Sequence, residues 1–221
     1  KNEEDVDKVI QKYIDTFNKV SNWRPLGGHE NNFGVIENQQ ASPIAALIEK
    51  ITNSIDAILM KQAYLNKVDP KSSHSPKSML DAVTAFFPNS KNWDLSVERK
   101  RQAEELQIIA DGYYKERGKN TSLTIYDNGE GQHPEDFERT FLSLLRGNKN
   151  EIPFVQGKYN MGGTGAIVFC GKKRYQLIAS KKHTNDGNFG FTLVRKHPMS
   201  KIEEKTKKNT HYRESNNTDN T

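Results

Sequence analysis

The segment from Ser42 to Tyr64 constrains the fold most, because it has the signals of a long helix with one apolar and one polar side. Ser42 offers a hydroxyl that can cap a helix, and Pro43 suits the first turn, where its missing N–H would have no partner. Apolar side chains then recur at helical spacing: Ile44, Leu47, Ile48, Ile51, Ile55 and Leu59. The pattern predicts a helix over Ser42–Tyr64 whose apolar stripe is buried.

Three polar residues share the other side of this helix. Glu49, Asn53 and Asp56 are spaced four and three residues apart, which places them on one helix face. Two carboxylates and an amide on one face are typical of a solvated surface, and also of a helix that lines a binding site. The trio alone does not separate these two interpretations.

A second signal follows a predicted strand. Residues 122–126 are rich in β-branched and aromatic side chains, and the segment then changes to Asp127-Asn-Gly129-Glu-Gly131. Glycines at these positions allow a close approach of the backbone to another group. By itself, such a segment is most often a turn.

A third signal is the glycine-rich stretch from Gly157 to Gly165, which precedes an apolar segment, Ala166–Cys170. Glycines ahead of a helix leave its first N–H groups free to face an anion, and the helix dipole favours negative charge there. Flexible surface loops have a similar composition, so this signal is weak alone.

In this order, the three signals resemble the motifs of the GHKL superfamily of ATP-binding domains. That superfamily includes gyrase-type topoisomerases, heat-shock-90 chaperones, histidine kinases, MutL-type repair proteins and the Morc group. The resemblance covers roughly residues 40–180, and its three motifs are Glu49-x-x-x-Asn53-x-x-Asp56-Ala57, Asp127-x-Gly129-x-Gly131 and the lid from Gly157 to Gly165.

The resemblance implies roles for the polar residues. Glu49 is expected to be the general base that activates the attacking water, and Asn53 to supply an oxygen to Mg²⁺. Asp127 is expected to accept a hydrogen bond from the exocyclic amine of adenine. Asp56 is expected to connect the helix to the nucleotide pocket through water or backbone amides.

The resemblance also implies a set of residues around the nucleotide. Gly129 and Gly131 would pass close to the base, and Ser180 would place a hydroxyl near adenine, although an ordinary serine at a strand end is an equal alternative. Lys158 would neutralise phosphate charge, with a solvated lysine as the alternative. The lid residues expected to wrap the phosphates are Gly162, Gly163, Thr164 and Gly165.

The expected fold is α/β, specifically an α+β two-layer sandwich. It has a mixed, mostly antiparallel sheet with helices on one face and ATP between the layers. The predicted strands are Phe33–Glu37, Leu123–Tyr126, Arg174–Ser180 and Asn188–Arg195. The predicted helices are Val6–Val20, Ser42–Tyr64, Ser96–Ala110, Pro134–Leu145 and Thr164–Cys170.

Domain organisation follows from composition. We expect one ATPase domain over residues 1–196, with an insertion at about 65–120 that begins in a polar, proline-containing segment. Residues 197–221 have little to bury, which predicts a disordered tail or a linker to a further domain. We therefore expect the chain to be a module of a larger protein with further domains or partner proteins.

Charge and cysteine usage limit the cellular setting. The 221 residues carry a formal net charge of +5, which permits DNA binding without requiring it. The single cysteine, Cys170, excludes a disulfide framework and favours a reducing, cytoplasmic location. No membrane-spanning stretch or signal peptide is visible, the six histidines lack metal-ligand spacing, and there is no P-loop sequence.

The leading hypothesis is an ATP hydrolase in which closure of the lid over ATP and Mg²⁺ switches the formation of a homodimer or the engagement of a partner. The alternative is an ATP-sensing scaffold that binds nucleotide and assembles with little turnover. A histidine kinase is disfavoured, because those members have Asn where this chain has Glu49. DNA repair, chromatin compaction, chaperoning and antiviral defence all use this kind of module.

Overall fold

The computed structural model describes residues 2–29, 32–38, 42–88, 95–112, 121–140, 142–144, 150–157, 165–197 and 212–215. The helices of this part are α1 (Glu3–Lys12), α2 (Ile14–Phe17), α3 (Phe33–Glu37), α4 (Pro43–Leu65), α5 (Met79–Phe86) and α6 (Leu95–Glu105). Its strands are β1 (Trp23–Pro25), β2 (Leu106–Asp111), β3 (Ser122–Asp127), β4 (Gln176–Lys181), β5 (Phe189–Lys196) and β6 (Tyr212–Ser215). Four 3₁₀ turns lie between them, at Val20–Asn22, Leu26–Gly28, Pro134–Arg139 and Ile167–Phe169.

The strands form two antiparallel sheets. One has four strands in the order β1-β6-β5-β4, and the other consists of β2 and β3. In the smaller sheet Leu106 is opposite Asp127 and Ile108 is opposite Ile125. The chain therefore mixes helices with antiparallel sheets, which agrees with the coarse fold class expected from the sequence.

The long helix α4 is confirmed, together with its start. The Ser42 side chain accepts the N–H of Ala45 at 3.1 Å and Pro43 is the first helical residue, as the sequence predicted.

The prediction of one continuous buried stripe along α4 is wrong in the first half of the helix. Ile44 and Ile48 are 70% and 58% exposed. The side chains buried in the second half include Ile58, Leu59, Met60 and Ala63. Ala46 is buried in the first half, but the apolar core packs on α4 at Leu59, Met60 and Ala63, all in the second half.

Two apolar cores hold the described elements together. One lies between α4, α5 and the segment before Gly157, and its buried members are Leu59, Met60, Ala63, Ala82, Ile152, Phe154 and Val155. The other joins the 3₁₀ turns to β5, and its buried members are Leu26, Ile36, Phe137, Leu142, Ile167, Val168 and Val194. The first core brings the end of the 150–157 segment against α4.

Two further predictions of secondary structure are corrected. Phe33–Glu37 is helix α3 rather than a strand; Ile36 is buried in the core, and the helix ends where Asn38 N–H bonds Gly34 O. The helix predicted over Ser96–Ala110 ends at Glu105, because the next six residues pair with β3 as strand β2. Part of the predicted insertion is thus integrated beside the strand that carries Asp127.

The remaining predicted helices are shorter than expected. The N-terminal helix begins at Glu3, with a capping box between Asn2 and Asp5, and is interrupted at Tyr13. The segment that starts at Pro134 is a 3₁₀ turn ending at Arg139. The segment before Cys170 is a 3₁₀ turn over Ile167–Phe169.

The last described residues belong to the larger sheet. Tyr212–Ser215 forms β6, which lies between β1 and β5 and pairs with both. These four residues form a paired strand although they fall within the polar segment 197–221. In the part of the chain that the structure describes, no helix is both long enough and apolar enough to cross a membrane.

Candidate functional site

Asp56 connects α4 to the start of the glycine-rich segment. Its side chain is fully buried, and both of its carboxylate oxygens accept the N–H of Gln156 at 3.0 Å. Its Oδ2 also accepts the N–H of Gly157 at 2.7 Å. A buried carboxylate is costly unless it is hydrogen-bonded, and two backbone amides supply those bonds here. The sequence placed Asp56 on the polar face of the helix; the structure places it inside, holding the third motif.

Asn53 lies against the same segment. A methyl group added at Gly157 would overlap Asn53 Oδ1 and lie 3.2 Å from Asp56 Oδ2. Only a residue without a side chain allows the backbone to approach α4 this closely. The first and third motifs are therefore in direct contact.

The second motif packs on the same helix at Ala57, one turn after Asn53. A methyl group at Gly129 would lie 2.5 Å from Ala57 Cβ, and the N–H of Glu130 donates to Ala57 O at 2.9 Å. Asp127 is half-buried at the end of β3, and its Oδ1 accepts the N–H of Gly129 at 3.1 Å. The chain turns tightly here and presents its backbone to α4.

Lys61 also contacts the second motif, although none of the three sequence motifs contains it. Its Nζ donates to Asn128 O at 3.0 Å and to Asn128 Oδ1 at 2.7 Å. The signal that could have found it is its spacing, since Lys61 follows Ala57 by one helical turn.

The other side of the second motif meets the end of β4. Gly131 has a φ of +59°, and a side chain there would overlap Lys181 O, so this position requires glycine. The Ser180 hydroxyl accepts the N–H of Gln132 at 3.0 Å. Ser180 is thus beside the second motif, and its expected place near adenine stays a prediction.

A polar cluster lies where the second motif meets the end of β4. The Glu130 side chain is buried and its Oε2 lies 3.3 Å from Lys182 Nζ, while Glu130 O accepts the N–H of His183 at 2.9 Å. Lys182 Nζ lies 5.7 Å from the centre of the Tyr64 ring, and that ring stacks on His183. Burial raises the pKa of Tyr64, and the Glu130 charge adds to the rise. The cluster joins the end of α4, the second motif and β4.

Glu49 is half-buried one turn before Asn53, with Lys50 beside it. Burial lowers the pKa of Lys50 to about 8. The charges of Cys170 and, to a smaller extent, Glu49 act in the opposite direction and raise it. A carboxylate and an amine whose charges interact therefore lie at the start of the polar face.

Residues 158–164 of the predicted lid fall outside the described residues, and they include four predicted site residues, Lys158, Gly162, Gly163 and Thr164. Gly165 is described; it is buried and leads into the Ile167–Phe169 turn of the second core. The structure thus brings together Asn53, Asp56, Asp127, Gly129, Gly131 and Ser180, each through a contact given above.

The one predicted metal ligand, Asn53, offers a neutral amide oxygen, which is a type of ligand that Mg²⁺ accepts. Within the described residues there is no group of three or more His, Cys, Asp or Glu side chains that could enclose a metal. A magnesium site with Asn53 as its single protein ligand would not require a cluster of three such side chains.

Comparisons of this chain with protein-family models, with curated proteins and with solved structures found no match.

Proposed function

We propose that this chain is an ATP-binding module that hydrolyses ATP in the presence of Mg²⁺. The observation that carries the proposal is that three motifs, separated by up to about a hundred residues, meet along α4. Asp56 binds the amides of Gln156 and Gly157, and Ala57 packs on the turn after Asp127. A solvated polar face would not have a fully buried carboxylate that binds two backbone amides 100 and 101 residues away.

The second motif supplies the base end of the proposed site. Asp127 accepts the adenine amine, and Gly129 and Gly131 let the backbone pass the base without a side chain in the way. This role is supported by the tight Asp127–Gly129 turn and by the proximity of Ser180 through Gln132. An acceptor that binds an exocyclic amine disfavours a base that has a carbonyl in its place.

The first half of the polar face supplies the hydrolytic end. Glu49 takes a proton from the water whose oxygen attacks the γ-phosphorus, and ADP is the leaving group. Asn53 would hold Mg²⁺ by its amide oxygen, and the bound ion would neutralise phosphate charge. Asp56 acts through the backbone, because it orients Gln156 and Gly157 at the entrance to the lid.

The lid and the assembly belong to the same proposal. Gly162, Gly163, Thr164 and Gly165 would supply the contacts to the phosphates and Lys158 a counter-charge, and closure over ATP would promote a homodimer or engage a partner in the cytoplasm. The sequence supports this through the glycine content of the segment.

The test is to measure ATP binding by calorimetry and phosphate release in parallel. We expect the wild type to bind ATP with Mg²⁺ and to hydrolyse it. Glu49→Ala should keep the affinity and reduce turnover by roughly 10²–10⁴-fold, which is the usual contribution of a general base. Glu104→Ala is the matched control, because Glu104 is exposed on α6 and should leave both quantities unchanged.

Two other outcomes distinguish the alternatives. Binding of ATP with negligible phosphate release in the wild type would favour the ATP-sensing scaffold. No binding of ATP, or unchanged phosphate release in Glu49→Ala, would refute the proposed function or the role of Glu49, respectively.

A further inference from the structure

We propose that Lys61 is a positioning residue that sets the preference of this site for adenine. The inference rests on the proposed function, and it concerns a residue that the three motifs do not include. Lys61 is half-buried on α4, and its Nζ donates to two oxygens of Asn128, at 3.0 and 2.7 Å.

The position of Asn128 in the chain makes this contact important. Asn128 directly follows Asp127, the proposed partner of adenine, and precedes the glycine against which α4 packs. Its N–H donates to Glu105 O at 2.8 Å, and Glu105 is the last residue of α6, directly before β2. Asn128 is therefore bonded both to α4 and to the end of α6. A residue bonded at its amide, its carbonyl and its side chain has little freedom to rotate, and it fixes the direction of the preceding carboxylate.

The charge of Lys61 strengthens the link. A hydrogen bond from an ammonium group is stronger than one between neutral groups, and this one is made in a partly water-excluded place. Lys61 donates to Asn128, which directly follows Asp127, so its proposed effect on Asp127 runs through Asn128. Removal of the ammonium should let the Asp127–Gly129 turn move relative to α4.

The consequence should appear in base recognition rather than in phosphate binding. A displaced Asp127 would lose its bond to the 6-amino group of adenine. A nucleotide without that group has no such bond to lose. The affinity for ATP should therefore fall about tenfold, the lower end of the range for one charged hydrogen bond, while the affinity for the analogue should change little.

The experiment compares ATP with purine riboside triphosphate, which lacks the 6-amino group, by calorimetry with Mg²⁺. Wild type should prefer ATP, and Lys61→Met, which keeps the aliphatic stem, should reduce this preference about tenfold. Lys77→Met is the matched control, because Lys77 also donates to a backbone carbonyl, that of Ser73 at 2.7 Å, but is exposed and outside α4. It should leave the preference unchanged.

Asn128→Ala gives an independent arm that keeps Lys61. It removes one of the two acceptors, so it should reduce the preference for ATP by a smaller factor. The double variant should be no worse than Lys61→Met alone, because both changes break one link. Asn128→Ala also tests the proposal if Lys61→Met does not fold.

The outcomes separate this inference from the proposed function. If wild type binds neither nucleotide, the proposed function fails and this inference fails with it. If wild type prefers ATP and the folded variants keep the same preference, only the role of Lys61 is overturned. Equal losses for ATP and the analogue would also overturn it, because they would indicate attraction of phosphate rather than positioning of Asp127.

Discussion

Asp56→Asn tests the contact that joins the first and third motifs. The wild-type carboxylate is fully buried and accepts two backbone N–H groups, one of them at 2.7 Å. An asparagine of nearly the same shape keeps one oxygen but replaces the other with an NH₂ group. That group cannot accept a hydrogen bond, and it would face an amide donor at Gln156 or Gly157.

The expected loss can be estimated from these bonds. A hydrogen bond to a charged group contributes about 1.5–3 kcal/mol, and a buried donor left without a partner costs about 1–3 kcal/mol. The neutral amide is cheaper to bury than a carboxylate, which offsets part of this loss. We therefore expect the free energy of unfolding to fall by about 2–4 kcal/mol. For a domain of this size that corresponds to a decrease in Tm of roughly 4–16 °C.

The assay is equilibrium unfolding in urea without nucleotide, together with hydrogen exchange of the backbone amides. Exchange at Gln156 and Gly157 should accelerate more than exchange in the second half of α4, because the substitution releases that segment first. Asp15→Asn is the control; Asp15 is exposed on α2, and its replacement should change stability by less than about 0.5 kcal/mol. A loss below that value in Asp56→Asn would refute the reasoning that Asp56 holds the third motif.

Two further predictions concern other contacts. Gly131→Ala should destabilise the protein more than Gly28→Ala in urea unfolding. Both positions have positive φ, but only at Gly131 would the new methyl group overlap a backbone oxygen, that of Lys181. Equal losses of stability in the two variants would contradict this. The hydrogen bond from Lys173 lowers the pKa of Asp7 below 3.8, so Asp7 stabilises the fold above that pH and loses its effect as the pH falls through the lowered value. Asp7→Asn should therefore be less stable than wild type at pH 6, with the difference shrinking below pH 3.8, and a difference that persists at low pH would count against the assignment.

The local signals in the sequence were sufficient for several elements. Helix α4 begins at the predicted cap because Ser42 and Pro43 act within one turn and depend on no distant residue. The β-branched segment before Asp127 predicted strand β3 for the same reason. The spacing of Asn53 and Ala57 was enough to place them one turn apart on α4.

Distant pairing decided what the local pattern could not. Leu106–Asp111 continues a helical pattern in the sequence, but its backbone groups pair with β3 and the segment becomes a strand. Phe33–Glu37 reads as an apolar strand, yet Ile36 enters the core from a short helix. Short apolar segments fit either period, and the neighbour that covers them determines which is used.

The candidate site shows the same division. The sequence alone identified the residue types of the three motifs and the order in which they occur. Only the tertiary structure showed that Asp56 is inside rather than on the polar face, and that Lys61 reaches Asn128 across 67 residues of sequence. Helical spacing determines which side chains share a face, but the partner of each side chain depends on segments that fold against it from far along the chain.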